Sequence, residues 1–194
     1  SDGPKQSPAP NCVYSLRAGG VLVEEAAYDF PSYPNGLAFS PNEKQLYVAV
    51  TVPSPAGIDV FDVAPDGGLF GRRVLARSEA FSFVDGLVVR PSDGVLLAAC
   101  WDHVTLLDPT SGTTKVAPLP SKGANNLELA HDTLYVTAGD GVHILSPAAL
   151  VAPALSVPEL SAPQGALGGV GFAVLVAAIF GARSRARAAP KFLF

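Results

Sequence analysis

Short apolar runs broken by compact polar links recur along most of the chain, and the breaks fall in a repeating order. Asn35-Gly36-Leu37-Ala38-Phe39 is followed by Leu46-Tyr47-Val48 and then by Ile58-Asp59-Val60-Phe61-Asp62. The order returns in Asp85-Gly86-Leu87-Val88-Val89, Leu96-Leu97-Ala98 and Val104-Thr105-Leu106-Leu107-Asp108. It returns again, shortened, in Asn126-Leu127-Glu128-Leu129, Leu134-Tyr135-Val136 and Val142-His143-Ile144-Leu145. The links Ser40-Pro41-Asn42-Glu43, Pro91-Ser92-Asp93-Gly94 and His131-Asp132 have hairpin chemistry. Pro65-Asp66-Gly67-Gly68 and Pro109-Thr110-Ser111-Gly112 supply second turns. Arg73–Ala76 and Lys115–Ala117 then read as outermost strands.

Four short strands repeated every ~40–50 residues is the pattern of a propeller blade. A blade cannot bury both faces alone, so a closed ring takes about four to eight of them. This chain supplies two full units and a partial third. Cys12–Leu16 and Val21–Glu25 add what reads as the outer hairpin of a preceding blade. That is too few to close a ring, so further blades are expected ahead of this chain. A β-sandwich built from the same strands is the alternative.

Composition narrows the classes without changing that picture. The 194 residues are 48% hydrophobic, enough for a core, and the net charge of −4 gives no reason for a nucleic-acid partner. With 19 Gly and 18 Pro, turns are many, which favours strands over long helices. Methionine is absent and the chain opens on Ser1, as in a processed chain or a fragment. Cys12 and Cys100 have no metal-ligand spacing and form no disulfide framework; buried thiols on strands are expected. No Gly-x-Ser-x-Gly elbow and no His-Glu-x-x-His motif occurs, which leaves serine-hydrolase and zinc-protease readings without support.

The stretch from Tyr33-Pro34-Asn35-Gly36-Leu37-Ala38-Phe39 to Leu46-Tyr47-Val48 resembles the signature of the gluconolactonase and senescence-marker-protein family. Ile58–Asp62, Gly71–Ala76, Val84-Asp85-Gly86 and Leu134–Thr137 are similar to it as well, closest to its lactonohydrolase branch. The resemblance implies an all-β fold, part of a six-bladed propeller holding one divalent cation, usually Ca²⁺, in its central channel. It implies a hydrolase of sugar lactones or related cyclic esters, with a small-molecule lactone as partner. Asn35 and Asp85 carry over as metal ligands, and Asp85 as the general base toward water. A family Glu ligand has no counterpart in this chain.

The residue chemistry is compatible with those roles. Asn35 and Asp85 fill the same slot of consecutive units, at the start of strands expected to line the axis. An amide oxygen and a carboxylate are hard donors, suited to Ca²⁺ with its about 6–8 oxygen ligands. A bound cation polarises a lactone carbonyl and lowers the pKa of bound water. Yet Asn-Gly and Asp-Gly are also common turn dipeptides and can simply open a strand. A non-catalytic propeller that has lost part of its metal site is the alternative function, and a strictosidine-synthase-like propeller a third.

Two places depart from the family pattern. Val50 stands where an acidic residue is common, and Trp101-Asp102-His103 replaces a Gly-containing turn. His103 reads as an exposed turn residue, and His131 and His143 have no evident partner spacing.

Past Leu145 the repeat stops. The residues divide into propeller blades at 1–145, a Pro/Ala/Ser-rich linker at 146–164, and an apolar segment with a basic tail at 165–194. Residues 165–182 are a candidate membrane-spanning helix, with Arg183, Arg185, Arg187 and Lys191 as a cytoplasmic positive flank. A genuine anchor would place the propeller outside the cell or in a lumen; otherwise the protein is expected to be soluble. A mis-spliced or frameshifted tail and a buried element are the alternatives.

Overall fold

The structure, a computed structural model, describes residues 11–146 together with Leu150. These lie in one compact unit. They form thirteen strands and one short 3₁₀ helix, Glu79–Phe81. β1 (Asn11–Arg17) and β2 (Val21–Tyr28) pair as an antiparallel hairpin. β3 (Pro34–Phe39), β4 (Gln45–Val50), β5 (Gly57–Val63) and β6 (Leu69–Arg77) form a four-stranded sheet in chain order. β7 (Val84–Val89), β8 (Leu96–Cys100), β9 (His103–Leu107) and β10 (Thr114–Pro118) repeat that order. β11 (Asn126–Ala130), β12 (Thr133–Ala138) and β13 (Gly141–Leu145) make a three-stranded sheet.

Each sheet is an up-and-down meander of consecutive strands, and none is shared between sheets. β3 lies against β7, and β7 against β11. The first strand of each of the last three sheets is therefore innermost, and these sheets stand side by side as blades. This is the arrangement expected from the repeat, not two sheets facing each other as in a sandwich.

The core explains why the middle strands lack polar alternation. Leu46, Val48 and Val50 on one face of β4 pack with Val13 and Tyr28 of the hairpin. Tyr47 and Ala49 on the other face pack with Val84, Leu87 and Leu96 of the next sheet. β8 does the same, with Leu96, Ala98 and Cys100 turned one way and Leu97 and Ala99 turned toward Leu134 and Val136. A strand buried on both faces reads as a continuous apolar run. β12 is buried on one side, so Leu134 and Val136 are covered while Tyr135 and Thr137 are exposed.

One charge sits inside the first full blade. Asp59 on β5 is fully buried and accepts from Arg72 Nε at 2.9 Å and from the Arg77 guanidinium. The Arg72 guanidinium also stacks 3.8 Å above the Tyr28 ring, which ties β2 to β6. Burial pushes the Tyr28 phenol well above its ordinary value, and the Asp59 charge adds to this.

Cys100 is buried in β8, as expected, while Cys12 is only half-buried on β1. The linker beyond Ser146, apart from Leu150, and the candidate membrane segment 165–182 lie outside the described residues. Among the described residues no helix is long and apolar enough to cross a membrane.

Candidate metal centre at the ends of the inner strands

The β3–β4 ladder is in register from Phe39↔Leu46 to Leu37↔Val48, then slips before Pro34↔Val50. The β7–β8 ladder slips at the same place, between Leu87↔Ala98 and Val84↔Cys100. The slips fall on Asn35-Gly36 and Asp85-Gly86. A bulge releases residues from the ladder and re-aims a side chain. Asn35 and Asp85 thus occupy equivalent bulged positions on adjacent inner strands.

The glycines answer to packing rather than to tight turns. A Cβ on Gly36 would lie 2.2 Å from the Asp85 carbonyl oxygen, and one on Gly86 2.8 Å from Asn126 Oδ1. Neighbouring inner strands therefore touch backbone to backbone. Thr51 fastens the contact by donating its hydroxyl to the Val84 carbonyl at 2.6 Å. Asn35 Nδ2 donates to the same Thr51 oxygen at 3.4 Å, which leaves the Asn35 Oδ1 uncommitted.

Asp85 is half-buried, and desolvation raises its pKa above the ordinary carboxylate value. Among the described residues no hydrogen bond or ion pair offsets that cost. An amide oxygen and an unpaired carboxylate side by side fit the donor chemistry of a hard divalent cation. They supply two donors. Among the described residues no group of three or more His, Cys, Asp or Glu is gathered closely enough to hold a metal.

A third position completes the row and was not evident in the sequence. The Gly86 N–H donates to the Asn125 carbonyl at 2.9 Å, so Asn125 is the β11 counterpart of Asn35 and Asp85. Reading Asn125-Asn126-Leu127 beneath Asn35-Gly36-Leu37 would have found it. Here Asn126 pairs directly with Thr137 and the ladder has no slip. The Asn125 Oδ1 accepts from the Thr137 hydroxyl at 2.6 Å and is already engaged.

The departures noted in the sequence resolve differently. The Val50 side chain is buried and does not face solvent. His103 is not an exposed turn residue: it opens β9, with Nδ1 2.8 Å from Asp102 and Nε2 3.0 Å from the Ala80 carbonyl. The Cys100 sulfur first, then the Ala80 carbonyl and Asp102, push its pKa up to about 9 against desolvation. His103 thereby clamps the 3₁₀ helix to the β8–β9 turn. His143 has partners after all, in Asp140 at 2.8 Å and Ser121 at 2.7 Å. Both approach the same ring nitrogen, whereas a nucleophile relay needs them on opposite nitrogens. His131 sits exposed at a turn with φ of 55°.

Residues 1–140 match the sequence profile of the SMP-30/gluconolactonase/LRE-like region. The chain belongs to that family. Within the SMP-30/gluconolactonase family, a gluconolactonase from Xanthomonas campestris is similar at 31% identity and a TM-score of 0.61, over 75% of this chain and 46% of its own. A luciferin-regenerating enzyme (19% identity, TM-score 0.59) and a calcium-binding regucalcin from Agrobacterium tumefaciens (21%, 0.56) share the fold. They are matched over 68% and 69% of this chain and 45% and 46% of theirs. This SMP-30/gluconolactonase-like chain therefore spans less than half the length of these relatives. No curated protein sequence gives a significant match. Asn35, Asp85 and Asn125 all fall within the span matched to the family.

Proposed function

We infer that the propeller to which these blades belong is a divalent-cation-dependent hydrolase of lactones or related cyclic esters, with Asn35 and Asp85 among the cation's ligands. The observation carrying this reading is the pair of matching bulges on adjacent inner strands, one of them presenting a carboxylate that nothing neutralises among the described residues. Similarity to a gluconolactonase and to a calcium-binding regucalcin supports Ca²⁺ as the cation. When bound, the cation would withdraw electron density from the lactone carbonyl and acidify water.

The remaining chemistry belongs to the chain. Asn35, its amide nitrogen held by Thr51, orients a neutral oxygen donor at the site. Asp85 takes the proton of the attacking water as its oxygen adds to the carbonyl carbon. The ring C–O bond then breaks, the ring oxygen receives that proton, and the product is the open hydroxy acid. Burial raises the Asp85 carboxyl above the ordinary carboxylate value in the metal-free chain.

Calorimetric titration with Ca²⁺ on the full-length parent protein and on its Asn35→Ala and Asp85→Ala variants tests the ligand assignment. Saturable binding weakened in both variants is the expected outcome; no binding of Ca²⁺, Mg²⁺ or Mn²⁺ would overturn it. A propeller that binds the cation without turnover is the rival, since this chain supplies two donors. Hydrolysis of glucono-δ-lactone or of an alkyl δ-lactone by the parent protein, lost in Asp85→Ala, separates the two.

A further inference from the structure

Two exposed aromatic pairs stand beside the two bulges. Tyr33 lies two residues before Asn35, and Phe83 lies two residues before Asp85. Each is paired edge-on or at a tilt: Phe30 with Tyr33 at 6.5 Å between ring centres, and Phe83 with Trp101 at 5.9 Å. All four are open to solvent, with 63% of Phe30, 44% of Tyr33, 67% of Phe83 and 47% of Trp101 accessible. Their place at the donor end follows from the backbone. The Thr51 N–H donates to the Tyr33 carbonyl, Val84 pairs with Cys100, and the Ala124 N–H donates to the Trp101 carbonyl.

Phe83 carries a second sign. Its φ is 54°, in the left-handed region where a bulky side chain is an outlier. Glycine or asparagine would hold that backbone at less strain, and neither the core nor any hydrogen bond of the ring explains a phenylalanine there. A strained, exposed aromatic two residues from a bare carboxylate is where a binding surface is to be sought. Among the described residues near the donors, the Thr51 hydroxyl is engaged by Val84 and the Asn125 Oδ1 by Thr137. The exposed aromatic faces beside them are suited to hydrocarbon.

Resting on the metal-dependent lactonase reading, we propose that Phe30, Tyr33, Phe83 and Trp101 form a rim that seats the apolar substituent of an alkyl lactone, and so select it over a hydroxyl-rich sugar lactone. Trp101 is the sole tryptophan, so its fluorescence reads occupancy of the rim without any need for turnover. The test titrates the full chain in saturating Ca²⁺ with δ-decalactone and with glucono-δ-lactone. The expected result is a Trp101 response to δ-decalactone at a concentration about tenfold or more below any response to the sugar lactone, the discrimination a few buried methylenes provide. Phe83→Gly accepts the same φ, so it keeps the fold, and it is expected to weaken δ-decalactone binding about tenfold while leaving Ca²⁺ binding unchanged.

Equal response to both lactones, or undiminished binding in Phe83→Gly, would overturn the rim while the cation site stands. Failure of Ca²⁺ to bind in calorimetry, with the Trp101 response to δ-decalactone intact, would instead sink the metal reading alone.

Discussion

The two middle blades and the flanking sheets are made of the same kind of strand, yet they are held in different ways. β4 and β8 are covered on both faces, by the hairpin or sheet before and the sheet after. At the far flank, β12 and β13 leave Tyr135, Val142 and Ile144 at 40%, 63% and 66% accessibility. Near the start, Leu16 and Leu22 of the hairpin are open to a similar degree. The difference teaches that a blade's stability belongs to its neighbours more than to its own ladder. Sequence alone cannot rank the sheets, because the same apolar residues are core in one and surface in another.

The comparison is broken most severely inside the first full blade. Asp59→Ala leaves Arg72 and Arg77 without their shared buried carboxylate and is expected to cost about 3–5 kcal/mol in urea unfolding. Asp59→Asn, which keeps the shape, should recover part of that loss. Leu97→Ala in β8, where the side chain is fully buried, is expected to cost about 2–5 kcal/mol by the same measurement. A loss below about 1 kcal/mol would mean that the two-sided packing is not what holds the middle blades.

His103 sharpens the contrast through pH. Its folded pKa of about 9 is above its unfolded value near 6.5. The stabilisation it gives is fully present below that unfolded value and is lost as pH rises through about 9. After solvent screening this is on the order of 1 kcal/mol. Thermal melts from pH 6 to pH 10 should show a decline that His103→Gln removes. The smallest effect is expected at Ile144→Ser on β13, within about 0.5 kcal/mol of wild type. A large loss there would show that the open face is covered in solution.

Much of the fold was legible because two-sided burial writes itself as uninterrupted apolar runs such as Leu46–Val50 and Leu96–Cys100. The pattern of inner, middle and outer strands followed from the turns between them. The two equivalent strand positions were legible as repeated Asn-Gly and Asp-Gly, although the reason for the glycines was not: contact between backbones leaves no mark in hydropathy. Asn125 was hidden because its neighbour is Asn126 rather than glycine. Asp59 was hidden as well, since a lone acid on a strand reads as solvent-facing until the register brings Arg72 and Arg77 across from it. His103 depended on the Ala80 carbonyl, a backbone partner that side-chain motifs do not announce.

The contact of Gly36 with the Asp85-Gly86 backbone has a consequence for how such a protein tolerates change. Where two inner strands meet without an intervening side chain, their spacing is a property of the main chain and is the same whichever residues fill the wedges farther out. Substitutions among Tyr47, Ile58, Leu87 and Leu96 can swell or shrink the space between blades at larger radius while the axis stays at a fixed gauge. Drift in the hydrophobic interior is thereby uncoupled from the alignment of Asn35 with Asp85. A lineage can rework its core extensively and still hold the two inner strands at the same spacing.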